Sequence, residues 1–195
     1  MPSTGLAGWL ETEGAHHDIV AWAAGFGDDF ERAWHECPRA DWLLAIAARL
    51  GFDRRSLVRA AAACTRTAHA DLVTPDPPTL RALELAESWA RGEAAAEECQ
   101  SAAAELERAA PPDPLVAVLQ GAAQATLLSI EDPHAASVAA ANAAQAVLYG
   151  ADDCAMMALL SYAQKQCAAH VREAVDFEAL ALRWRDRLSS GASSP

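Results

Sequence analysis

His16, His17 and Asp18 stand side by side and form the densest set of metal-ligating groups in the chain. Two imidazoles and a carboxylate are the donor types that hold a divalent cation. Adjacent side chains on a helix diverge by about 100 degrees, however, which is poor chelating geometry, so no metal is expected here. Asp152 and Asp153 fall where a helix should begin, and capping of its N-terminus explains them without catalysis. His170 lies at the edge of an apolar face formed by Met156, Leu160, Ala163 and Cys167 and reads as a hydrogen-bonded boundary histidine rather than a general base. Gly25-Phe26-Gly27 is too short for a phosphate loop and reads as a link between helices. The chain contains no G-x-S-x-G elbow, no G-x-x-x-x-G-K-[ST] loop, no H-E-x-x-H and no Cys/His cluster. These patterns point to a protein that is not an enzyme and needs no cofactor.

Five cysteines, at 37, 64, 99, 154 and 167, are odd in number and include no C-x-x-C pair. That usage predicts free thiols in a reducing cytoplasm. Cys64 and Cys99 fall on apolar helix faces, where cysteine acts as a small buried hydrophobe. The N-terminus lacks the basic start and continuous apolar run of a secretory signal. Residues 133–151 carry no Asp, Glu, Lys or Arg, but polar interruptions and the dominance of alanine predict a buried central helix there, not a membrane span.

Charge and aromatic placement suggest a protein partner. The formal net charge is −12, concentrated in residues 1–36 and 73–135, whereas residues 37–72 are rich in arginine. Such a field repels nucleic acid and steers basic proteins toward the surface. Of the six tryptophans, Trp42 and Trp89 are expected in the core. Trp9 and Trp22 lie in the acidic N-terminal stretch, an arrangement suited to a binding surface with aromatic anchors. The predicted partner contacts are therefore Trp9, Trp22, Asp28, Asp29, Glu31, Glu97, Glu98 and Glu105. Arg55, Arg59 and Arg66 form a stripe that can pair with Glu84 and Glu87.

The elements that must position these residues are helices. Alanine supplies about a quarter of the chain and β-branched residues are scarce, so propensity favours helix nearly throughout. At 195 residues one domain can bury its own core. Pro, Gly and Asp divide the chain into predicted helices over 15–24, 28–37, 40–50, 54–72, 79–91, 94–109, 114–130, 133–149, 153–175 and 177–188. Asp53, Asp113, Asp132 and Asp152 are placed to cap helix starts, and Gly51 suits a left-handed stop. Short connections predict an all-α, single-domain array of antiparallel helix hairpins. The 54–72 and 94–109 helices read as one-faced surface helices: Leu57, Ala61, Cys64, Ala68 and Leu72 turn inward in the first, and Ala95, Cys99, Ala102 and Leu106 in the second. The helices after Asp113 and Asp132 should lie deepest. Three parts are expected: an acidic helical segment over 1–36, a core over 37–188, and a disordered tail over 189–195.

The stretch from Cys37 to Ala104 reads CPRADWLLAIAARLGFD, then LVRAAAACTRTAHADL, then LRALELAESWARGEAAAEECQSAAA. This order, an Ala/Cys-rich helix, a Pro/Asp break and a helix ending A-E-x-W-A-R-G-E, resembles the all-α immunity proteins of bacterial polymorphic toxin systems. The likeness covers roughly the middle third closely and the Ala-rich helices to about Val175 loosely. Where relatives carry Arg-Pro-Arg after the break, this chain has Pro77, Pro78 and Thr79 before Leu80 and Arg81. The resemblance implies a non-enzymatic protein that binds and silences a cognate basic toxin, often a nuclease. A helical adaptor in a bacterial complex is the alternative expectation.

Overall fold

A computed structural model describes residues 5–70, 75–111, 113–150 and 154–191. Among the described residues eleven α-helices follow one another: α1 Gly5–Thr12, α2 His17–Ala23, α3 Phe30–Glu36, α4 Ala40–Arg49, α5 Arg54–Ala70, α6 Pro77–Arg91, α7 Ala96–Arg108, α8 Pro114–Leu128, α9 Ala135–Gln145, α10 Met156–Ala174 and α11 Phe177–Gly191. Short 3-10 turns over Ala24–Phe26 and Ala146–Gly150 extend α2 and α9. No strand occurs among the described residues, so the all-α class expected from composition is the class observed.

The helix starts are made by aspartates. Asp29, Asp76 and Asp113 each accept a backbone N–H from the first turn of α3, α6 and α8, and Asp53 accepts from both the N–H and the hydroxyl of Ser56 at the start of α5. Prolines occupy the first positions of α6 and α8, where a missing N–H costs nothing. Gly51 closes α4 at φ 66°, as its position predicts, and Gly92 closes α6 at φ 82°. Asp152 and Asp153 lie outside the described residues, as do positions 71 and 72 of the helix expected over 54–72.

Two apolar clusters share α5 and α8. One joins α1 to α4 with α9, α10 and α11 and includes Leu57, Ala61 and Cys64 of α5 and Ala122 of α8. The other joins α6 and α7 to Val58 and Ala62 of α5 and to Ala123 and Leu127 of α8. The expectation of a one-faced α5 is thus corrected: it is a partition buried on two sides, with Ser56, Thr65 and His69 also buried. Val58 and Ala62 form its second buried face, and alanine there lets neighbouring backbones close in on a helix whose sequence pattern marks one apolar stripe opposite Arg55, Arg59 and Arg66. In α7 the inward set is Cys99, Ala103 and Leu106, with Ala102 half-buried and Ala95 exposed. α9 contacts α4, α5, α8 and α10, which makes it the central helix that its lack of charge predicts.

The chain ends differ from expectation. α1, absent from the sequence reading, buries Leu6 and Leu10 completely. Residues 6 to 34 pack into the same cluster as Leu180 and Trp184, so the N-terminal stretch and the C-terminal helix share one core. Residues 189–191, expected in a disordered tail, form the last turn of α11.

Candidate functional site

Asp28, Asp29 and Glu31 come together at the start of α3, on the rim of a groove of about 410 Å³ closed on its other side by α11. Asp29 is held by its cap bond to the Arg32 N–H, at 3.0 Å. Asp28 and Glu31 are exposed. Glu178, in the first turn of α11, adds a fourth carboxylate, against one guanidinium from Arg185. The groove is therefore net negative, and acids at helix N-termini are favoured there by the helix dipole.

Its floor is aromatic. Phe30 stacks on Trp184 with centroids 5.3 Å apart and on Phe177 at 6.1 Å, and Trp9 meets Trp184 edge-on at 5.3 Å. Trp9 is half-buried and packs against the core behind this floor, with its indole Nε1 buried and without a hydrogen-bond partner. Trp22 is also half-buried, between Phe26 at 4.9 Å and Trp42 at 5.4 Å. Both tryptophans thus lend much of their surface to intramolecular packing. Trp184 and Phe177, which sequence reasoning did not single out, line the groove itself; their separation of seven residues on one helix face was the available signal.

Glu97, Glu98 and Glu105 are not part of this groove. All three are exposed on α7. Glu98 accepts the Ala95 N–H at 3.3 Å, which caps the helix. Glu105 borders a second, mostly apolar cleft of about 400 Å³ between α6 and α7, opposite Arg81 and Leu85. The candidate contacts thus divide between two apolar clusters. Of the arginine stripe, Arg66 pairs with Glu87 at 2.9 Å, as its spacing predicts, while Arg59 donates to the Ser56 hydroxyl.

His16, His17 and Asp18 approach one another more closely than a shared helix would allow. α2 begins at His17, and His16 sits before it in an extended conformation with its ring 4.3 Å from that of His17. His17 Nε2 lies 2.9 Å from the Asp18 carboxylate. All three are exposed. His170 is held between the Thr67 hydroxyl, at 2.9 Å, and Glu173, the boundary role its position predicts.

All five cysteines are free, and all but Cys154 are buried. Burial pushes the thiols of Cys37 and Cys99 up to about 12 and about 11. A hydrogen bond between Cys64 and Cys167 raises the first thiol and lowers the second. No helix among the described residues is long and apolar enough to cross a membrane. No family model, curated protein or solved structure matches this chain.

Proposed function

We propose that this protein is a non-enzymatic inhibitor that binds a basic toxin domain in the bacterial cytoplasm and blocks its substrate groove. The observation that carries the reading is the acid-rimmed, aromatic-floored groove between α3 and α11, where Asp28, Asp29, Glu31 and Glu178 surround Phe177 and Trp184. A lysine or arginine of a partner entering it would meet carboxylates at the rim and the partly exposed ring of Phe177 at the floor, which together favour a cation. A toxin that acts on nucleic acid must be basic to hold phosphate, so it supplies such residues. The family likeness in residues 37–104 supports the same reading. The acids of α7 add long-range attraction that raises the rate of encounter more than the strength of the complex.

The test is co-expression with the product of the neighbouring toxin gene. The wild-type chain restores growth, and its purified form binds the toxin with association that slows steeply as salt rises. Glu31→Lys together with Asp28→Lys weakens protection while leaving the helical circular dichroism unchanged. A harmless neighbouring product, or one that binds no better than an unrelated basic protein, removes the inhibitor reading and leaves the helical adaptor. Full protection by the double variant removes the groove as the binding site.

A further inference from the structure

Cys64 and Cys167 face each other across the contact between α5 and α10. The Cys64 thiol donates to the Cys167 carbonyl at 3.6 Å, and one helical turn further on the Thr67 hydroxyl and His170 Nε2 share a hydrogen bond of 2.9 Å. Both pairs are 103 residues apart in the chain. The two helices therefore run in the same direction there, with Cys64 opposite Cys167 as Thr67 is opposite His170. Ala60, Ala61 and Ala168 belong to the same buried cluster as both cysteines, and small side chains bring helix axes to the short end of the range of about 8–10 Å. With Cα atoms about 2.3 Å from each axis, residues that face across such a contact come within reach of the roughly 4.4–6.8 Å separation that a disulfide spans.

We propose that Cys64 and Cys167 are a peroxide-sensitive pair, in which hydrogen peroxide oxidises Cys167 and Cys64 resolves the product into a reversible disulfide between α5 and α10. Access separates the two roles. Cys167 lines a cleft of about 140 Å³ bounded, among the described residues, by Thr67, Leu159, Tyr162, Ala163 and Gln166, whereas Cys64 is completely buried. A water takes about 30 Å³ of its liquid, so the cleft has room for peroxide, a molecule of two oxygens. A bulkier alkylating reagent meets a residue only 3% exposed and waits for unfolding. Thiolate character separates the roles again: the hydrogen bond that Cys64 donates lowers the Cys167 thiol against the effect of burial, and it raises the Cys64 thiol together with burial. Cys37 and Cys99, pushed up to about 12 and about 11 by burial, have scarcer thiolates.

The Cys167 thiolate sulfur attacks one peroxide oxygen and the O–O bond breaks. The S–O bond of a sulfenic acid forms, and the departing hydroxide takes up the proton that the thiol released and leaves as water. The Cys64 sulfur then attacks the Cys167 sulfur, an S–S bond replaces the S–O bond, and the second hydroxide leaves as water with the Cys64 proton. Two thiols together lose two electrons, and one peroxide is reduced to two waters. The bridge ties α10 to α5, the helix that both apolar clusters share. It closes a loop of about a hundred residues, a length at which a cross-link restricts the unfolded chain strongly.

Treatment of the folded full chain with dilute hydrogen peroxide, removal of the peroxide, alkylation in urea and non-reducing peptide mapping test the pair. The expected product is an intramolecular bridge between Cys64 and Cys167, formed at least about tenfold faster than Cys37 or Cys99 is oxidised, since each pKa unit changes the thiolate fraction tenfold. Dithiothreitol reverses it, and the urea midpoint rises and falls in step. Cys154→Ser, which removes the exposed thiol, forms the same bridge. In Cys64→Ala the sulfenic acid has no resolving thiol, and excess peroxide carries Cys167 to the sulfinic acid, a gain of two oxygens that dithiothreitol does not reverse. Cys167→Ala leaves Cys64 a thiol. If either alanine variant loses helical circular dichroism, the bridge mapped in the wild-type and Cys154→Ser chains decides alone. A chain in which Cys64 and Cys167 remain thiols after Cys154 has been oxidised, or in which the bridge forms only once urea is present, overturns the proposal.

Discussion

The Arg172 guanidinium donates two hydrogen bonds to the Trp34 carbonyl, from Nε at 3.1 Å and Nη2 at 2.9 Å, and Nη2 also reaches the Cys37 carbonyl. These carbonyls belong to the end of α3, where no further turn of helix exists to satisfy them. One side chain of α10 thereby caps a helix more than a hundred residues earlier and fixes the far end of the element whose start carries Asp28, Asp29 and Glu31. Replacing Arg172 with Ala leaves half-buried carbonyls unpaired, with an expected loss of about 3 kcal/mol, since hydrogen bonds to charged groups contribute about 1.5–3 kcal/mol each. Arg172→Lys recovers part of it. Urea denaturation of the two variants measures both, and an unchanged midpoint for the alanine variant would remove the capping role.

Gly5 takes φ 74°, and a Cβ there would meet the Gly27 carbonyl oxygen at 2.5 Å and press on the Asp28 carboxylate. The Leu6 N–H donates to the same Gly27 carbonyl. Gly5→Ala should cost about 2 kcal/mol, from strain at positive φ and from displacement of the loop before α3. Thermal denaturation reads the loss; Gly14→Ala is the control, since it shares the positive φ but has open space around its Cβ position, and it should cost less.

Acid should destabilise the fold through two caps. Burial works against the charge of Asp53, but hydrogen bonds from Ser56 outweigh it and hold the carboxyl below its usual range. Asp76 is lowered likewise, with burial opposed by Thr79 and Gln120. A carboxyl with a depressed folded pKa adds stability that is complete above its unfolded value of about 3.9. That stability is lost as pH falls through the folded value, because the unfolded chain takes up the proton first. Denaturation midpoints should therefore decline below about pH 5, and Asp53→Asn combined with Asp76→Asn should flatten that decline. An equal slope in the double variant would assign the acid sensitivity to other groups.

The thiols should separate into one that reacts and four that do not. Cys154 is exposed, while Cys37, Cys64, Cys99 and Cys167 are buried. Alkylation of the native protein without reductant should label Cys154 within the mixing period and the other four only after unfolding. Mass spectrometry of freshly isolated protein should show no disulfide; a stoichiometric bridge between Cys64 and Cys167 would contradict it.

The helical class was legible in the sequence because it depends on local terms. Alanine propensity, the aspartate caps at Asp53 and Asp113 and the glycine stop at Gly51 act within a few residues and appear where the sequence places them, whereas Asp132 binds only the His134 N–H and α9 starts two residues after Pro133. The central position of α9 was legible too, because an alanine-rich helix without charge gains most by lying among other helices. α1 was not legible: an eight-residue helix with two glycines is unstable alone and exists because Leu6 and Leu10 find a core made by distant elements. The second buried face of α5 was hidden for a related reason, since alanine does not announce which side a neighbour will cover. The acidic residues were readable singly, but only the tertiary structure decided their grouping. It set Asp28, Asp29 and Glu31 beside Glu178 and over Phe177 and Trp184, and left Glu97, Glu98 and Glu105 on another cluster. That grouping depends on α11 returning to pack on α3 across nearly the whole chain, a contact set by the shape of the shared core, with no local signal in either segment.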